Sequence, residues 1–243
     1  MLTPVKPHAH ATDIIFCTPI KDSRTNMTRT CHFDDRLHAA ELLVDKLQHY
    51  RGRNPLVLAI PRGAVPMARL IANRLEGELD VVLAHKLGAP FNPEYAIGAI
   101  VEGGWSYLSP EAEMLNLSKT FIEQEKALQL AHINQRRERY TPLKPPANPA
   151  GRIVIIVDDG LATGATMIAA LHAIQAQNPA KLVCAVPVAA PDSLEKVRPL
   201  ADAVICLCAP ENFRAVGQFY LRFTQVEDDE VEALLARPTA QTE

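Results

Sequence analysis

The chain has 243 residues, enough for one or two domains with a sizeable buried core. Hydrophobic residues make up 48% and charged residues 22%, which excludes a disordered chain. The formal net charge of −3 excludes an extended cationic footprint for nucleic acid, so nucleic acid is an unlikely partner. No apolar run approaches the ~20 residues needed to cross a bilayer. Lys6, His8 and His10 precede only Ile14-Ile15-Phe16, which is no signal-peptide core. The expectation is a cytoplasmic protein with no membrane partner. Five cysteines, an odd count spread over Cys17, Cys31, Cys184, Cys206 and Cys208, make a poor disulfide framework. Cys206-Leu207-Cys208 reads as strand rather than as a metal site, because zinc ligands usually come as C-x2-4-C pairs.

Residues 1–32 contain no glycine and no sustained periodicity, and read as a partly flexible extension tethered by Ile14–Phe16. From residue 33 onward a single domain is expected. Leu37, Ala40, Leu43, Val44 and Leu47 recur at helical spacing, with Asp34 or Asp35 near the start and Gly52 past the end. Leu56–Ile60, bounded by Pro55 and Pro61, suits a buried parallel strand. Ala64–Leu75 is a helix stopping at Gly77, Leu79–Ala84 a second strand and Ala96–Val101 a third. Glu102-Gly103-Gly104 turns into Trp105–Leu108 as a hairpin. Ser109-Pro110-Glu111 starts one helix, or two in sequence, running to about Tyr140.

The stretch Ser118–Tyr140 is polar, as suits a helix lying across a surface or between subunits. A connector with Pro142, Pro145, Pro146 and Pro149 follows. Residues 102–150 thus read as an insertion of hairpin, long helix and connector. Beyond it come strand Ile153–Val157, helix Ala165–Gln177, strand Leu182–Val186, helix Pro191–Arg198, strand Ala203–Leu207 and helix Asp228–Ala236. This alternation predicts an α/β fold, a mostly parallel doubly wound sheet flanked by helices.

The most informative segment runs from Val154 to Thr166. A buried strand ends in the adjacent carboxylates Asp158 and Asp159, and the loop Gly160-Leu161-Ala162-Thr163-Gly164 leads into a helix at Ala165-Thr166. Gly160 and Gly164 permit close backbone approach, and the helix N-terminus offers unpaired N–H groups to an anion. Thr163 and Thr166 add hydroxyl donors, which completes a cup for a phosphate monoester. The loop is no Walker A motif, lacking Gly-Lys-Ser/Thr, and no G-x-G-x-x-G fingerprint. Carboxylates repel phosphate, so the pair must face another part of the same ligand. The vicinal hydroxyls of a ribose fit, and both acids can hold a Mg²⁺ ion through water. A 5-phosphorylated ribose satisfies both halves.

This segment resembles the phosphoribosyl pyrophosphate signature of the type I phosphoribosyltransferases, almost position by position. The resemblance implies a four-residue pyrophosphate loop at the end of the first strand, here Pro61-Arg62-Gly63-Ala64, often with a cis non-prolyl bond, which would be Pro61–Arg62. It further implies a mobile loop carrying basic residues to the pyrophosphate. His85 to Tyr95, rich in Gly and Pro, is placed to be that lid, with Lys86 supplying the charge. Segments around Phe33-Asp34-Asp35-Arg36, Lys86–Gly104 and Phe213–Tyr220 resemble a little-characterised bacterial and archaeal subgroup of these enzymes. His85 stands where that subgroup commonly has Arg, Phe91 where it has Gly, and Ala64 where it has a second Gly.

What the resemblance implies is a Mg²⁺-dependent transfer of phosphoribosyl from phosphoribosyl pyrophosphate to a small nucleobase-like acceptor, with purine the favoured class and a homodimer the expected assembly. Asp158, Asp159 and Lys86 would be the catalytic residues. Residues 160–166 would bind the 5-phosphate, and Pro61, Arg62, Gly63 and Ala64 the pyrophosphate. Phe213, Phe219, Tyr220 and Trp105 are candidates to stack on the base. Two other readings stay open: a donor-sensing regulator that binds nucleic acid through Arg136-Arg137-Glu138-Arg139, or an oligomeric scaffold with a vestigial site.

Overall fold

The structure, a computed structural model, describes residues 13–16, 31–109, 112, 114–140 and 146–236. Its main sheet has six parallel strands in the order β1-β9-β8-β7-β2-β3. These are β1 (Asp13–Phe16), β2 (Leu56–Ala59), β3 (Glu78–Val81), β7 (Ile153–Val157), β8 (Lys181–Val188) and β9 (Ala203–Cys208). Leu56, Val57, Ala59 and Val154–Val157 are fully or almost fully buried, because helices cover both faces of the sheet. One face is covered by α1 (Arg36–Leu47) and α2 (Val65–Leu75), which pack with Val57, Ala59, Ile155 and Val157. The other is covered by α4 (Ala165–Gln175) and α5 (Pro191–Val197), which pack with Leu56, Leu58, Val154 and Ile156. The expected α/β class and parallel doubly wound sheet are what the chain adopts.

The Asp35 side chain caps α1 by accepting from the His38 N–H at 3.0 Å, and Ala39, Ala40, Leu43, Val44 and Leu47 form its buried stripe. Within the segment read as an extension, Asp13–Phe16 adds β1 in register beside Ala203–Cys206. The remaining residues up to 30, with His8, His10 and Cys17, lie outside the described residues.

Four expectations are corrected. The second strand ends at Val81, and the chain then leaves the main sheet. Ala84–Ala89 (β4), Asn92–Val101 (β5) and Ser106–Leu108 (β6) form a separate antiparallel sheet in the order β4-β5-β6. The expected turn at 102–104 is present, but the antiparallel unit begins at Ala84, well before residue 102. Lys86 therefore lies on a strand and not in an open lid. Finally, Cys31 and Cys208 are joined as a disulfide with Cα atoms 6.0 Å apart, although the cysteine count argued against any framework.

The long polar helix, α3 (Lys119–Tyr140), backs this hairpin, as a surface-lying helix should. Ser118 accepts from the Phe121 N–H at its start. Glu125 accepts from the Gly88 N–H at 3.0 Å, and Arg137 grips Glu102 through Nε and a terminal nitrogen at 2.7–3.0 Å. Residues 110, 111 and 141–145, where the helix start and two connector prolines were expected, lie outside the described residues. The chain closes with α6 (Asp228–Ala236), packed against α2 and α3. Among the described residues no helix is long and apolar enough to cross a membrane.

Candidate active site

Strands β2 and β7 are neighbours, with Ala59 opposite Val157. The chain leaves β2 toward β3 through α2 and leaves β7 toward β8 through α4, on opposite faces. This is a topological switch point, where open α/β sheets form a ligand crevice at the carboxyl ends of the strands. The two segments singled out from the sequence, 61–64 and 158–166, emerge side by side there.

The Pro61–Arg62 peptide is cis, as the resemblance implied. Ala64 has φ −79°, so the second glycine of the subgroup is not needed for backbone conformation here. Gly63 is required for another reason. A Cβ on it would lie 2.3 Å from Asp159 Oδ2 and 3.0–3.2 Å from the Arg36 guanidinium nitrogens. Gly63→Ala is therefore expected to destabilise the fold by about 1–3 kcal/mol through overpacking. Urea denaturation checks this, and an unchanged midpoint would mean that the acid and the arginine simply move aside.

The cup is fastened to its surroundings by main-chain bonds. Leu161 donates to Val188 O and accepts from the Ala190 N–H, both at 2.9 Å. Ser193 Oγ donates to the Ala162 carbonyl at 2.6 Å. Gly164 takes φ +76° at the N-cap of α4, a conformation that favours glycine. Ala162 and Thr163 are exposed and Thr166 is half-buried, so the loop presents its rim to solvent. Gly160 is closed in by Val216 and Val188, which a Cβ would meet at 2.7 and 3.0 Å.

Both acids are partly buried. Asp158 accepts from the Asp159 N–H at 2.8 Å. Burial, and then the Asp159 charge, push the Asp158 carboxyl well above the ordinary carboxylate range. Burial also raises Asp159, but the Arg36 guanidinium opposes this. Arg36 reaches Asp159 Oδ2 through Nε at 2.9 Å and through a terminal nitrogen at 2.8 Å, with both side chains under 20% exposed (12% and 16%). A charge-assisted pair of this kind contributes about 1.5–3 kcal/mol.

Arg36 is the residue the sequence reading missed as a site member. It lies at the end of Phe33–Arg36, and nothing in that segment announces a partner 123 positions away. Its setting explains why the segment after residue 213 belongs to the site. The Thr224 carbonyl accepts from Arg36 at 2.6 Å, and the Phe223 ring lies 3.9 Å below the guanidinium carbon. Tyr220 O–H donates to the Asp159 carbonyl at 2.6 Å.

The other expected residues divide. Lys86 shares a strand face with Ala84 and pairs with Ala99, and those alanines pack on Ala165 and Ala169 of α4. Strand alternation thus puts Lys86 on the hairpin face that meets the phosphate-loop helix. Arg62 is held by carboxylates, 2.9 Å from Glu227 and 3.8 Å from Asp228. Phe219 and Tyr220 are core residues, Phe213 packs against Phe219, and Trp105 stands against His172 with ring centroids 4.7 Å apart. Phe223, 40% exposed beside Arg36, is the aromatic nearest the acids' counter-charge that remains open to solvent. The basic run at 136–139 does not form an open cationic face. Arg137 pairs with Glu102, and Arg139 with Asp228, Asp229 and Glu232.

Known proteins share this chain's sequence and fold. The family model described as "Phosphoribosyl transferase domain" matches residues 35–224. A Mycobacterium tuberculosis protein named "Putative phosphoribosyl transferase Rv0571c" is 41% identical over 206 residues, 84% of this chain and 46% of its own. The chain thus spans about half the length of the curated relatives it matches. The crystal structure of TT1426 from Thermus thermophilus superposes with a TM-score of 0.72 at 45% identity, over 84% of this chain and 98% of that one. With the twin acids, the cup and the cis-bonded loop converging at one switch point, the chain belongs to the phosphoribosyl transferase domain family.

Proposed function

We propose that this chain transfers the phosphoribosyl group of phosphoribosyl pyrophosphate to a nucleobase-like acceptor, with purine the favoured class, and releases pyrophosphate. The observation that carries the reading is the side-by-side placement of a phosphate cup, two carboxylates and a second anion loop at the β2/β7 switch point. Each suits a different part of one donor molecule. The α4 N-terminus with Thr163 and Thr166 suits the 5-phosphate. Asp158 and Asp159 suit the ribose hydroxyls. The 61–64 loop, with Arg62 and Lys86, suits the pyrophosphate.

In the transfer, the bond from the anomeric carbon to pyrophosphate breaks and its electron pair departs with the leaving group. An acceptor ring nitrogen forms the new bond and gives up its proton to solvent. The ribose ring carries positive charge meanwhile, and carboxylates held beside it stabilise that charge. Positioning donor and acceptor in line is the other contribution of the site.

The family implies Mg²⁺, and the residues fit it. Asp158 and Asp159 are hard oxygen donors, and the Asp158 carboxyl lies in a half-buried site with an excess of negative charge. When bound, the ion would neutralise the pyrophosphate and help fix the ribose hydroxyls.

Phosphoribosyl pyrophosphate with Mg²⁺ at a hundredfold excess over Kd should stabilise the full chain by about 2.7 kcal/mol, visible as a rise in Tm. A panel of nucleobases incubated with the donor and Mg²⁺, read by pyrophosphate release, then identifies the acceptor. No rise in Tm and no pyrophosphate with any base would discard the proposal.

A further inference from the structure

The outer side of the β4–β5 hairpin, turned away from α4, carries chemistry that the transfer reaction does not use. A cavity of about 260 Å³ opens there, lined by His85 of β4, His132, Gln135, Arg136 and Arg139 of α3, and Asp228 of α6. The α3 residues fall at i, i+3, i+4 and i+7, so they form one face of that helix. The two imidazoles face each other with ring centroids 6.1 Å apart. Among the described residues His85 Nδ1 is buried without a hydrogen-bond partner. Buried polar nitrogens normally have a partner, so this ring has hydrogen-bonding capacity to spare.

The cavity offers an anion one lightly committed cation, Arg136. Two guanidiniums and two imidazoles line it with one carboxylate, and Asp229 and Glu232 offset Arg139 from outside the lining. The lining carboxylate is already engaged, accepting from Tyr140 O–H at 2.9 Å and lying 3.4 Å from Arg139 and 3.8 Å from Arg62. Arg139 also pairs with Asp229 and Glu232, whereas among the described residues Arg136 reaches only Asp228 Oδ1, at 3.9 Å. His132 Nδ1 already lies 3.3 Å from Gln129 Oε1, so Arg136 and the remaining ring nitrogens carry the donor capacity. The cavity is smaller than the ~300–1,000 Å³ of sites for drug-sized ligands. It suits a compact anion better than a nucleotide. Donors converge from two elements, β4 and α3, as a tetrahedral oxyanion requires.

We propose that this cavity is a second anion site, which binds inorganic phosphate or a small phosphate monoester through Arg136, His85 and His132. The proposal does not depend on the donor chemistry at Asp158 and Asp159. The groups facing the His85 ring are Arg136 and His132 from α3 and Asp228 from α6, while Lys86, next along the strand and on its other face, acts only through its charge. Burial first and Arg136 second hold the His85 imidazole below its ordinary value. A bound dianion opposes both influences, so the His85 midpoint must rise.

The test follows the ring resonances of His85 and His132 by NMR in the full ¹⁵N-labelled chain, titrated with inorganic phosphate. Saturable shifts of both rings and an upward move of the His85 midpoint are expected. Arg136→Gln should weaken the phosphate response roughly tenfold through loss of a charge-assisted bond. His132 is exposed, so His132→Gln tests the same site without endangering the fold. Thr163→Val, which alters the phosphate cup, should leave the response intact. Shifts that grow without saturation, that persist unchanged in both pocket variants, or that vanish in Thr163→Val would overturn the proposal.

Discussion

Asp158→Asn is expected to raise Tm at pH 7 while cutting turnover by roughly two to three orders of magnitude, the scale of losing one transition-state charge stabiliser. The two effects have one cause. Desolvation and the neighbouring Asp159 charge raise the Asp158 carboxyl in the folded state above its unfolded value of 3.8. A raised carboxyl means that the folded state holds the proton more tightly than the unfolded state. Stability is then greatest below the unfolded value and falls as pH climbs through the raised folded value. Above the unfolded value the folded chain bears a cost for this acid, either as buried charge or as a proton taken up. Asparagine removes the charge yet keeps an oxygen to accept from the Asp159 N–H, now 2.8 Å away, so little packing is lost. The check is Tm against pH for both proteins, beside pyrophosphate release. The wild type should lose stability relative to the variant as pH rises. If Tm and activity fall together, Asp158 is a structural residue and the catalytic reading fails.

That a stabilising substitution should sit at the centre of the site explains why the site was legible in the sequence. Adjacent acids at the end of a buried strand, followed by glycines and threonines, violate what a merely stable strand-to-helix turn would use. The parallel strands were legible too, because Leu56–Ile60 and Ile153–Val157 are continuous apolar runs and burial on both faces demands them.

The hairpin was misread for a physical reason. Gly88, Pro90 and Pro93 are loop residues in most settings. Here the pairing of β4 and β5 shifts register at Gly88, where a Cβ would meet the Pro93 carbonyl oxygen at 2.8 Å. Pro93 is tolerated because β6 pairs only with Gly98–Ile100 and leaves that end of β5 without a second neighbour. Cys31 and Cys208, 177 positions apart, carry no local sign of their pairing, and the same is true of Arg36 and Asp159. Long-range partners of this kind are set by the topology that brings α1 and the end of β7 together, and no spacing rule reaches them.

Arg36→Gln is the substitution that tests this hidden partner, and its expected signature is a displaced pH profile. Arg36 is the cation that opposes the upward pull of burial on both acids. Without it both carboxyls rise further, so the doubly ionised pair that must meet the ribose forms only at higher pH. The acid limb of kcat/KM should move upward, with activity down about ten- to a hundredfold at pH 7 for a loss of charge-assisted bonds worth about 1.5–3 kcal/mol, and recovering as pH rises. Glutamine keeps an N–H to offer the Thr224 carbonyl but cannot carry charge over the Phe223 ring. Arg36→Lys restores the charge without the fork, and should return the limb most of the way while leaving part of the loss in rate. A merely scaffolding arginine predicts something different: Tm falls, the rate drops by the same factor at every pH, and the limb stays in place. The position of the limb, and not the size of the loss, decides between them, because only a residue that sets the charge of the acid pair can move the pH at which that pair becomes competent.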